Sequence, residues 1–331
     1  LQEKMVLNLK NLILLIISLF PSKLKIPLYS LFGYKISRNV SLGFLSIIDI
    51  ETKAEFAEGS KIAPFTYIKA KEFYIGKYSI ISPFSFISVP KVYIGNDTKI
   101  SNFVIIRSGH VTKYSELFVG DLVHIFPFVT IDCSRKVTIG DGTGVGPQCN
   151  IFTHSSYKSI LDGYNVVYNN VNIGKRVELT YSVFVAPGVT IGDDAICAYG
   201  SYVNSDIPEG VLAAGLPAKV KRNKDQFVKN IDQIQKLDIL NNIVLEFQDY
   251  FQLTEGRHPF NVIICNYNKE IKIQNNTAYI ILKGYTPIKS NFTYAVFNIE
   301  EGKCYNWGIN KTDFNALRKF LSRYGIRFLT C

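Results

Sequence analysis

Residues 173–208 read IGKRVE, LTYSVF, VAPGVT, IGDDAI, CAYGSY and VNSDIP, six units of six residues without remainder. Each unit begins with an aliphatic residue or a cysteine: Ile173, Leu179, Val185, Ile191, Cys197 and Val203. A period of six fits neither the turn of an α-helix nor the simple alternation of a strand. Self-similarity at a short fixed period is typical of a solenoid. The hexads therefore predict a parallel β-helix with three short strands per triangular coil, in which the first residue of each unit points inward.

The same frame extends towards the N-terminus, although it becomes less regular. Six further coils begin at Ile36, Phe56, Ile75, Ile94, Val119 and Ile139. Together with the coils of residues 173–208 they predict a mainly β domain of about eight coils over residues 36–222. Parallel strands stacked about 4.8 Å apart would make a prism about 35–40 Å long.

One long interruption breaks the frame between His154 and Ile173. Residues 157–172 read YKSILDGYNVVYNNVN and contain no hexad. Loops of this length on a rigid scaffold are usually functional or disordered. Because this one begins directly after a histidine, we predict that it is functional.

The N-terminal region, residues 5–35, contains two short apolar segments, Val6–Phe20 and Leu24–Phe32, which we predict to be helices. The first is shorter than the roughly 18–20 residues needed to span a bilayer. One interpretation is that the helices cap one end of the solenoid and shield the last coil there. The other is a peripheral contact with a membrane surface. The cations that would help such a contact are Lys10, Lys23 and Lys25.

Residues 225–331 follow a different pattern and are predicted to form a separate small α+β domain of unknown role. Apolar residues recur at helical spacing over Asp225–Gln252. Strands are expected at Asn261–Tyr267, Ala278–Lys283, Tyr294–Ile299 and Ile326–Leu329. A second helix is expected to follow an N-cap at Thr312 or Asp313 and to end at Arg323.

Charge and cysteine content bound the class of protein. The 331 residues carry a formal net charge of +10, which favours anionic partners. No recognition helix or zinc-finger spacing is apparent, so nucleic acid is not predicted as a partner. The six cysteines are scattered without a CxxC pair, which indicates reduced thiols and a cytoplasmic protein. Met5 is the only methionine and the expected native start, and no signal peptide is predicted.

The last hexads and the segment after them resemble the hexapeptide-repeat acyltransferases. The residues that match are Gly200-Ser201, Asp206-Ile207-Pro208 and Ala214-Gly215-Leu216-Pro217-Ala218-Lys219. The resemblance is specific over residues 139–222, loose over residues 36–138 and absent from residues 225–331. It implies a left-handed coil, a homotrimer with acyl-CoA sites between prisms, and acetyl-CoA as the acyl donor. Within the family, the ending is similar to that of bacterial sugar O-acetyltransferases.

By this resemblance His154 is the general base. A sugar hydroxyl must lose its proton as it attacks a thioester, and a positioned imidazole can accept that proton. The base needs a partner that fixes its tautomer, and the stacking of coils leaves Asp132, Asn150 and Asp162 as candidates. We therefore expect His154, Asn150 and Asp132 in the catalytic site. His124 is interpreted as structural, with a place in the acceptor cleft as the alternative, and His110 is assigned no role.

The same resemblance predicts where the cofactor binds. Backbone N–H groups near Gly174, Ser182 and Gly188 are expected to face the thioester oxygen. Small residues that leave room for the pantetheine arm are Ala186, Ala198 and Gly200. Lys219, Lys221 and Arg222 suit the CoA phosphates, or are a solvated basic end. Thr180 stands where the family commonly has glycine, so the path of CoA is expected to differ in detail.

The predicted reaction is O-acetylation of a bacterial surface saccharide (capsule, O-antigen or lipooligosaccharide) or its precursor. Two alternatives stay open: N-acetylation of a nucleotide-linked amino sugar, and a non-catalytic trimeric scaffold. A metal-dependent hydratase on the same fold would need three zinc-ligating histidines. His110, His124 and His154 contain no close pair in sequence, so no metal is predicted. A cytoplasmic enzyme of this kind would work at the inner face of the membrane if the N-terminal helices bind lipid.

Overall fold

The computed structural model describes residues 2–155, 158–265, 274, 276–283 and 292–331, with side chains from residue 9 onward. The chain divides into two compact units, one ending at Val228 and the other starting at Lys229. Each unit is described by itself below.

The first unit begins with helices α1 (Gln2–Ser18) and α2 (Ser22–Leu31), and short strands follow. Strands β1 to β9 span Lys35–Ile36, Ser41–Leu42, Ile47–Phe56, Lys61–Ile62, Tyr67–Ile75, Ile80–Ile81, Phe86–Ser88, Lys91–Ile94 and Lys99–Ile100. Strands β10 to β18 span Ile105–Arg107, Glu116–Val119, His124–Ile125, Thr130–Asp132, Val137–Ile139, Gly144–Val145, Asn150–Ile151, His154–Ser155 and Val167–Tyr168. Strands β19 to β26 span Val171–Ile173, Glu178–Leu179, Phe184–Val185, Thr190–Ile191, Ile196–Cys197, Tyr202–Val203, Val211–Gly215 and Ala218–Asn223. Short 3-10 helices lie at Ile160–Asp162 and Lys224–Gln226.

The hexads form three stacks of parallel strands, which are the three faces of a left-handed prism. The first face contains β8, β11, β14, β19 and β22, the second runs from β2 to β25, and the third contains β7, β10, β13, β16, β21 and β24. Strands β3 and β5 are long enough to run along the third face and continue on the first. The predicted fold class, a left-handed parallel β-helix of about eight coils, is confirmed.

The core consists of the first residues of the hexads, stacked in register. On the second face Ile62 pairs with Ile81, Ile81 with Ile100 and Ile100 with Ile125. These four side chains are at most 1% exposed. Burying an aliphatic side chain of this size contributes about 1.5–3 kcal/mol. Because the inward positions repeat in every coil, the hydrophobic free energy is spread evenly along the prism.

A column of exposed phenylalanines runs along the second corner, where the chain passes from the second face to the third. We call it the phenylalanine column: Phe44, Phe65, Phe84, Phe103 and Phe128, each 42–55% exposed. From Phe65 to Phe128, neighbouring rings lie 5.1–5.2 Å apart and within 7° of parallel. These four residues also have φ between 58° and 63°, which costs a non-glycine residue about 1–2 kcal/mol. The coils thus maintain a strained backbone while they expose the edges of stacked rings.

Helices α1 and α2 cover the first coil. Leu14, Ile17 and Tyr29 are buried, and two backbone donors of the coil bind the helical segment. Leu42 N–H donates to Ser22 Oγ at 2.9 Å, and Leu45 N–H donates to Ser18 O at 2.8 Å. The side of the helices that faces the first coil therefore acts as a cap, as one interpretation of the sequence expected.

The three lysines expected at a membrane have different environments. Lys25 is buried and donates to Gly43 O and Ser46 Oγ, and burial lowers its pKa to about 8. Its assignment to a membrane surface was wrong, because its ammonium group lies against the first coil. Lys10 pairs with Asp49 at 2.5 Å, and Lys23 is exposed. Among the described residues, no helix has both the length and the apolar character needed to cross a membrane.

In its described residues, the second unit contains a five-stranded sheet and two helices. Its elements are α3 (Gln233–Glu255), β27 (Asn261–Cys265), β28 (Thr277–Ile281), β29 (Tyr294–Asn298), β30 (Lys303–Trp307), α4 (Lys311–Arg323) and β31 (Leu329–Thr330). Helix α3 starts at Gln233 rather than at Asp225, because the Asp232 side chain caps its first turn. Strand β30 was not predicted, and Asn266 and Tyr267 of the first predicted strand lie outside the described residues.

Candidate active site

The candidate site lies at the third corner, where the chain passes from the third face back to the first. Three successive coils leave their strands here, after Arg107, Asp132 and Ile151. Strand β10 pairs with β13, and β13 pairs with β16, so these three exits are stacked. The stacking pairs residues that are 20–25 positions apart in the chain.

His154 and Asp132 form a hydrogen-bonded pair at this corner. His154 Nδ1 lies 2.8 Å from Asp132 Oδ1, and the imidazole is 22% exposed while the carboxylate is 4% exposed. An ionised carboxylate can only accept, so Nδ1 carries the proton and donates it. Nε2 then has a free lone pair, and it makes no hydrogen bond to a described residue. The arrangement leaves His154 able to accept a proton through Nε2.

Several donors hold the Asp132 carboxylate in place. Oδ1 accepts from the Ser134 N–H at 3.0 Å and lies 3.0 Å from the Thr153 hydroxyl. Oδ2 accepts from the Gly109 N–H at 3.1 Å. Burial acts to raise the pKa of Asp132, but the hydrogen bonds from Ser134, His154 and Gly109 outweigh it and lower the pKa below its usual value. Asp132 is therefore ionised, and its orientation is fixed by three segments of the chain.

Two aromatic rings that the sequence did not point to pack against His154. The ring of Tyr168 stacks on it at 5.7 Å and 15°, and the ring of His110 meets it edge-on at 5.3 Å. Tyr168 reaches this place because β17 and β18 pair antiparallel, with Tyr168 opposite His154. A side chain at Gly109 would lie 3.4 Å from His154 Cε1 and 3.1 Å from Asp132 Oδ2. Glycine there lets the loop that carries His110 come close.

The other predicted partners of the base lie elsewhere. Asn150 Nδ2 donates to Gln148 O at 2.9 Å, and Asp162 is exposed in the 3-10 helix of the loop. His124 lies on the second face, 3.0 Å from Ser101 Oγ and stacked on Phe126. Among the described residues, no group of three or more His, Cys, Asp or Glu side chains could hold a metal ion.

The predicted cofactor residues are spread over all three corners. Gly174 lies at the first corner; Ser182, Ala198 and Gly200 lie at the second; Ala186 and Gly188 lie at the third, with His154. Lys219, Lys221 and Arg222 are exposed on β26. The prism thus brings two of the predicted cofactor residues, Ala186 and Gly188, to the corner of the histidine.

The backbone N–H groups of these residues differ in availability. Those of Gly174, Ser182 and Ala186 donate to carbonyls of neighbouring coils at 2.8–2.9 Å. The N–H of Gly188, whose φ is 87°, makes no hydrogen bond to a described residue. Of the three glycine and serine positions expected to face the thioester, Gly188 therefore has the available donor.

Comparison with known proteins gives matches to acetyltransferases, while no family model matches the chain. Galactoside O-acetyltransferase of Escherichia coli is 34% identical over 96 residues, 28% of this chain and 47% of that protein. A putative colanic acid biosynthesis acetyltransferase of the same organism is 34% identical over 125 residues, 32% of this chain and 69% of that protein. A crystal structure of a hexapeptide-repeat acetyltransferase from Vibrio cholerae with acetyl-CoA is 23% identical; the match covers 45% of this chain and 69% of that one, with a TM-score of 0.31.

The matched relatives are covered to different extents. The chain spans about half the length of the galactoside O-acetyltransferases that it matches, from 47% to 52%. It covers more than two thirds of the colanic acid relative at 34% identity. With the hexads folded as a left-handed β-helix, this chain belongs to the hexapeptide-repeat acyltransferase family, in the branch that contains bacterial sugar O-acetyltransferases.

Proposed function

We propose that this protein is an acetyl-CoA-dependent O-acetyltransferase that acts on a bacterial surface saccharide or its precursor. The observation that carries the proposal is the 2.8 Å contact between His154 Nδ1 and the buried Asp132 carboxylate, which leaves Nε2 as a base. In the reaction a sugar hydroxyl attacks the thioester carbon and its proton passes to Nε2. The C–S bond then breaks, and the CoA sulfur takes that proton from the imidazolium.

The relatives support the class of acceptor. They are named as a galactoside O-acetyltransferase, a putative acetyltransferase of colanic acid biosynthesis and a putative O-acetyltransferase of lipopolysaccharide biosynthesis. Those descriptions belong to the relatives, and the acceptor class is extended to this chain as part of the proposal. The loop that follows His154 brings Tyr168 against the imidazole, so an acceptor at Nε2 would contact this loop as well as the prism.

The residues that would bind acetyl-CoA follow from the availability of donors. The Gly188 N–H is the candidate to stabilise the oxyanion formed from the thioester carbonyl. A larger residue at position 188 would crowd Asn169, because its Cβ would lie 3.1 Å from Asn169 Nδ2. The exposed cations on β26, Lys219, Lys221 and Arg222, suit the phosphates of CoA.

The experiment that tests the function is acetyl transfer from acetyl-CoA to a panel of neutral, acidic and amino sugars. Release of the CoA thiol together with a base-labile acetyl ester on the sugar is the expected result. A base-stable amide on an amino sugar would favour the N-acetyltransferase alternative. A protein that neither binds acetyl-CoA nor transfers acetyl groups would instead favour the scaffold.

We also infer that the protein is a homotrimer and that the phenylalanine column lies in its interface. Rings stacked in a column cover each other's faces, so their edges remain for contact with another apolar surface. Sugars bind aromatic rings by their faces, so the column is unsuited to a glycan. The outward residues of the adjoining third face, Phe86 and Ile105, are 39% and 43% exposed and extend the apolar surface. A second copy of the chain is the partner that matches a column repeated coil by coil.

Changing Phe84 and Phe103 together to asparagine is expected to convert trimers into monomers at micromolar concentration. Asparagine adopts positive φ readily, so the coils keep their backbone while the apolar edge is lost. Mass photometry measures the result. Tyr78→Asn is the matched control, because it makes the same kind of change at a φ of 56° on the first corner. Unchanged trimers in the double variant would place the interface elsewhere.

For the N-terminal helices we propose a peripheral contact with an anionic membrane surface. The side away from the first coil exposes Leu9, Leu12, Leu15, Ile16, Leu19 and Leu31, with exposures of 46–84%. A contiguous apolar face of this kind on a small protein marks an interaction site. The exposed Lys23 in the first turn of α2 and the net charge of +10 favour anionic lipid.

Leu12→Glu combined with Leu19→Glu is expected to reduce binding to phosphatidylglycerol vesicles by about tenfold or more. Both side chains are 53% exposed, so the buried contacts of Leu14 and Ile17 with the first coil are kept. Vesicle co-sedimentation provides the measurement. Leu253→Glu, at a side chain 86% exposed in the second unit, is the control. Equal binding of both variants and the parent would contradict the membrane contact.

A further inference from the structure

Arg135 holds an unusual position beside the candidate base. It follows Asp132 at the third corner and is half-buried. Its guanidinium carbon lies 5.1 Å from the ring centre of Tyr168 and 5.3 Å from that of Tyr114. Tyr168 is the ring on which His154 stacks. The guanidinium and the base therefore contact the same aromatic side chain.

The hydrogen bonds of the Arg135 guanidinium use one of its three nitrogens. Nη1 donates to Thr112 Oγ1 at 3.3 Å and to Ser134 O at 3.1 Å, and both acceptors are uncharged. Nε and Nη2 make no hydrogen bond to a described residue, and no described carboxylate lies within 4.0 Å of the guanidinium. Nε–H and Nη2–H form the edge of arginine that binds a carboxylate or phosphate with two parallel hydrogen bonds.

The surrounding charges do not neutralise Arg135. The nearby carboxylate of Asp132 is occupied by His154 and backbone donors, and Glu116 pairs with Lys136 at 3.1 Å. Lys113 adds a second cation, since its Nζ lies 5.0 Å from the centre of the Tyr114 ring, which Arg135 also contacts. Cation–π contacts compensate only part of the hydration that a half-buried guanidinium gives up.

We infer that Arg135 binds an oxyanion carried by the acceptor, a carboxylate or a phosphate on the saccharide whose hydroxyl His154 deprotonates. The inference rests on the proposed function and narrows its substrate class to acidic glycans. The planar fork is held by Tyr114, Tyr168 and Thr112, so its open edge has a fixed direction. A bound anion would thereby orient the sugar relative to Nε2 of the base.

Arg135 could instead serve only as a brace, since Tyr114 and Tyr168 come from different loops. The two roles differ in what a substitution changes. A brace affects all acceptors alike, because its loss moves the base. An anion-binding residue affects the preference between a charged acceptor and a neutral one of the same shape.

The test measures kcat/KM for acetyl transfer to p-nitrophenyl β-glucuronide and p-nitrophenyl β-glucoside, and to glucose 6-phosphate and glucose. The wild type is expected to prefer the anionic member of at least one pair, and the pair identifies carboxylate or phosphate. Arg135→Gln should lower that preference about 10- to 100-fold. Arg135→Lys, which keeps the charge without the fork, should fall between. Lys158→Gln, at an exposed cation over Tyr164, is the matched control and should retain the preference.

Equilibrium binding of the same four sugars, measured by calorimetry, separates this inference from the proposed function. Tighter binding of an anionic sugar that depends on Arg135 supports the inference even if no acetyl group is transferred. A wild-type protein that binds and acetylates both members of each pair equally would overturn it. An equal loss for charged and neutral acceptors in Arg135→Gln would show the brace alone.

Discussion

Replacing His154 with alanine is expected to lower kcat for acetyl transfer by about 10²- to 10⁴-fold, the range that a positioned general base contributes. The imidazole is the group at the third corner that combines a free Nε2 with an anchored Nδ1. Its side chain is partly exposed and lies outside the stacked aliphatic core, so the coils should remain intact. The measurement is thiol release under saturating acetyl-CoA and acceptor.

The controls for His154→Ala separate loss of the base from loss of the site. The dissociation constant for acetyl-CoA should stay within a factor of about three, because the base acts on the acceptor. His258→Ala removes an exposed histidine of the second unit and should behave like the parent. If His154→Ala turned over at the wild-type rate, the assignment of His154 as the general base would be refuted.

Asp132→Ala is expected to damage both catalysis and stability. It leaves His154 Nδ1–H and the N–H groups of Ser134 and Gly109 without their acceptor. Hydrogen bonds to a charged group contribute about 1.5–3 kcal/mol each, so the free energy of unfolding should fall by at least about 3 kcal/mol. Without its anchor the imidazole can rotate and change tautomer, and kcat should fall by about 10²-fold or more. Chemical denaturation and thiol release measure the two effects.

Asp132→Asn separates the positioning role from the structural one. The amide keeps the volume and one acceptor oxygen, so it should recover part of the stability but little of the rate. The sign of the pH effect follows from the lowered pKa of Asp132. Its carboxylate stabilises the fold above the unfolded pKa of about 4, and this contribution is lost as the pH falls through the lower folded value. Stability that declines equally in wild type and Asp132→Asn below about pH 4 would contradict this role.

The fold could be predicted from the sequence because one period specifies one geometry. The inward residues Ile62, Ile81, Ile100 and Ile125 occupy equivalent positions in successive coils, as the hexads indicated. The position of His154 followed from the break in that period. Membership of the acyltransferase family followed from the segment that closes the prism, and the relatives confirm it.

The surroundings of His154 could be predicted only in part, since they depend on loops without a period. Asp132 was one of three candidate partners, and the stacking of β13 on β16 determines which one is close. Tyr168 and His110 gave no sequence signal that we recognised. The contact of His110 could have been predicted from a second long connection, residues 108–115, which leaves the prism at the same corner as the connections after Asp132 and Ile151. The path of CoA was harder to predict, because hexads place similar small residues at every corner.

The two ends of the prism have a consequence for association in the cell. A stack of identical coils has an open strand edge at each end, and such edges are templates for aggregation. At the first coil, helices α1 and α2 bind edge donors such as Leu42 N–H. At the last coil, β25 turns back into β26, whose exposed side chains include Lys219, Lys221 and Arg222. The positive charges of these side chains repel the same strand of a second copy. The closing hairpin therefore opposes end-to-end stacking of prisms into a fibre.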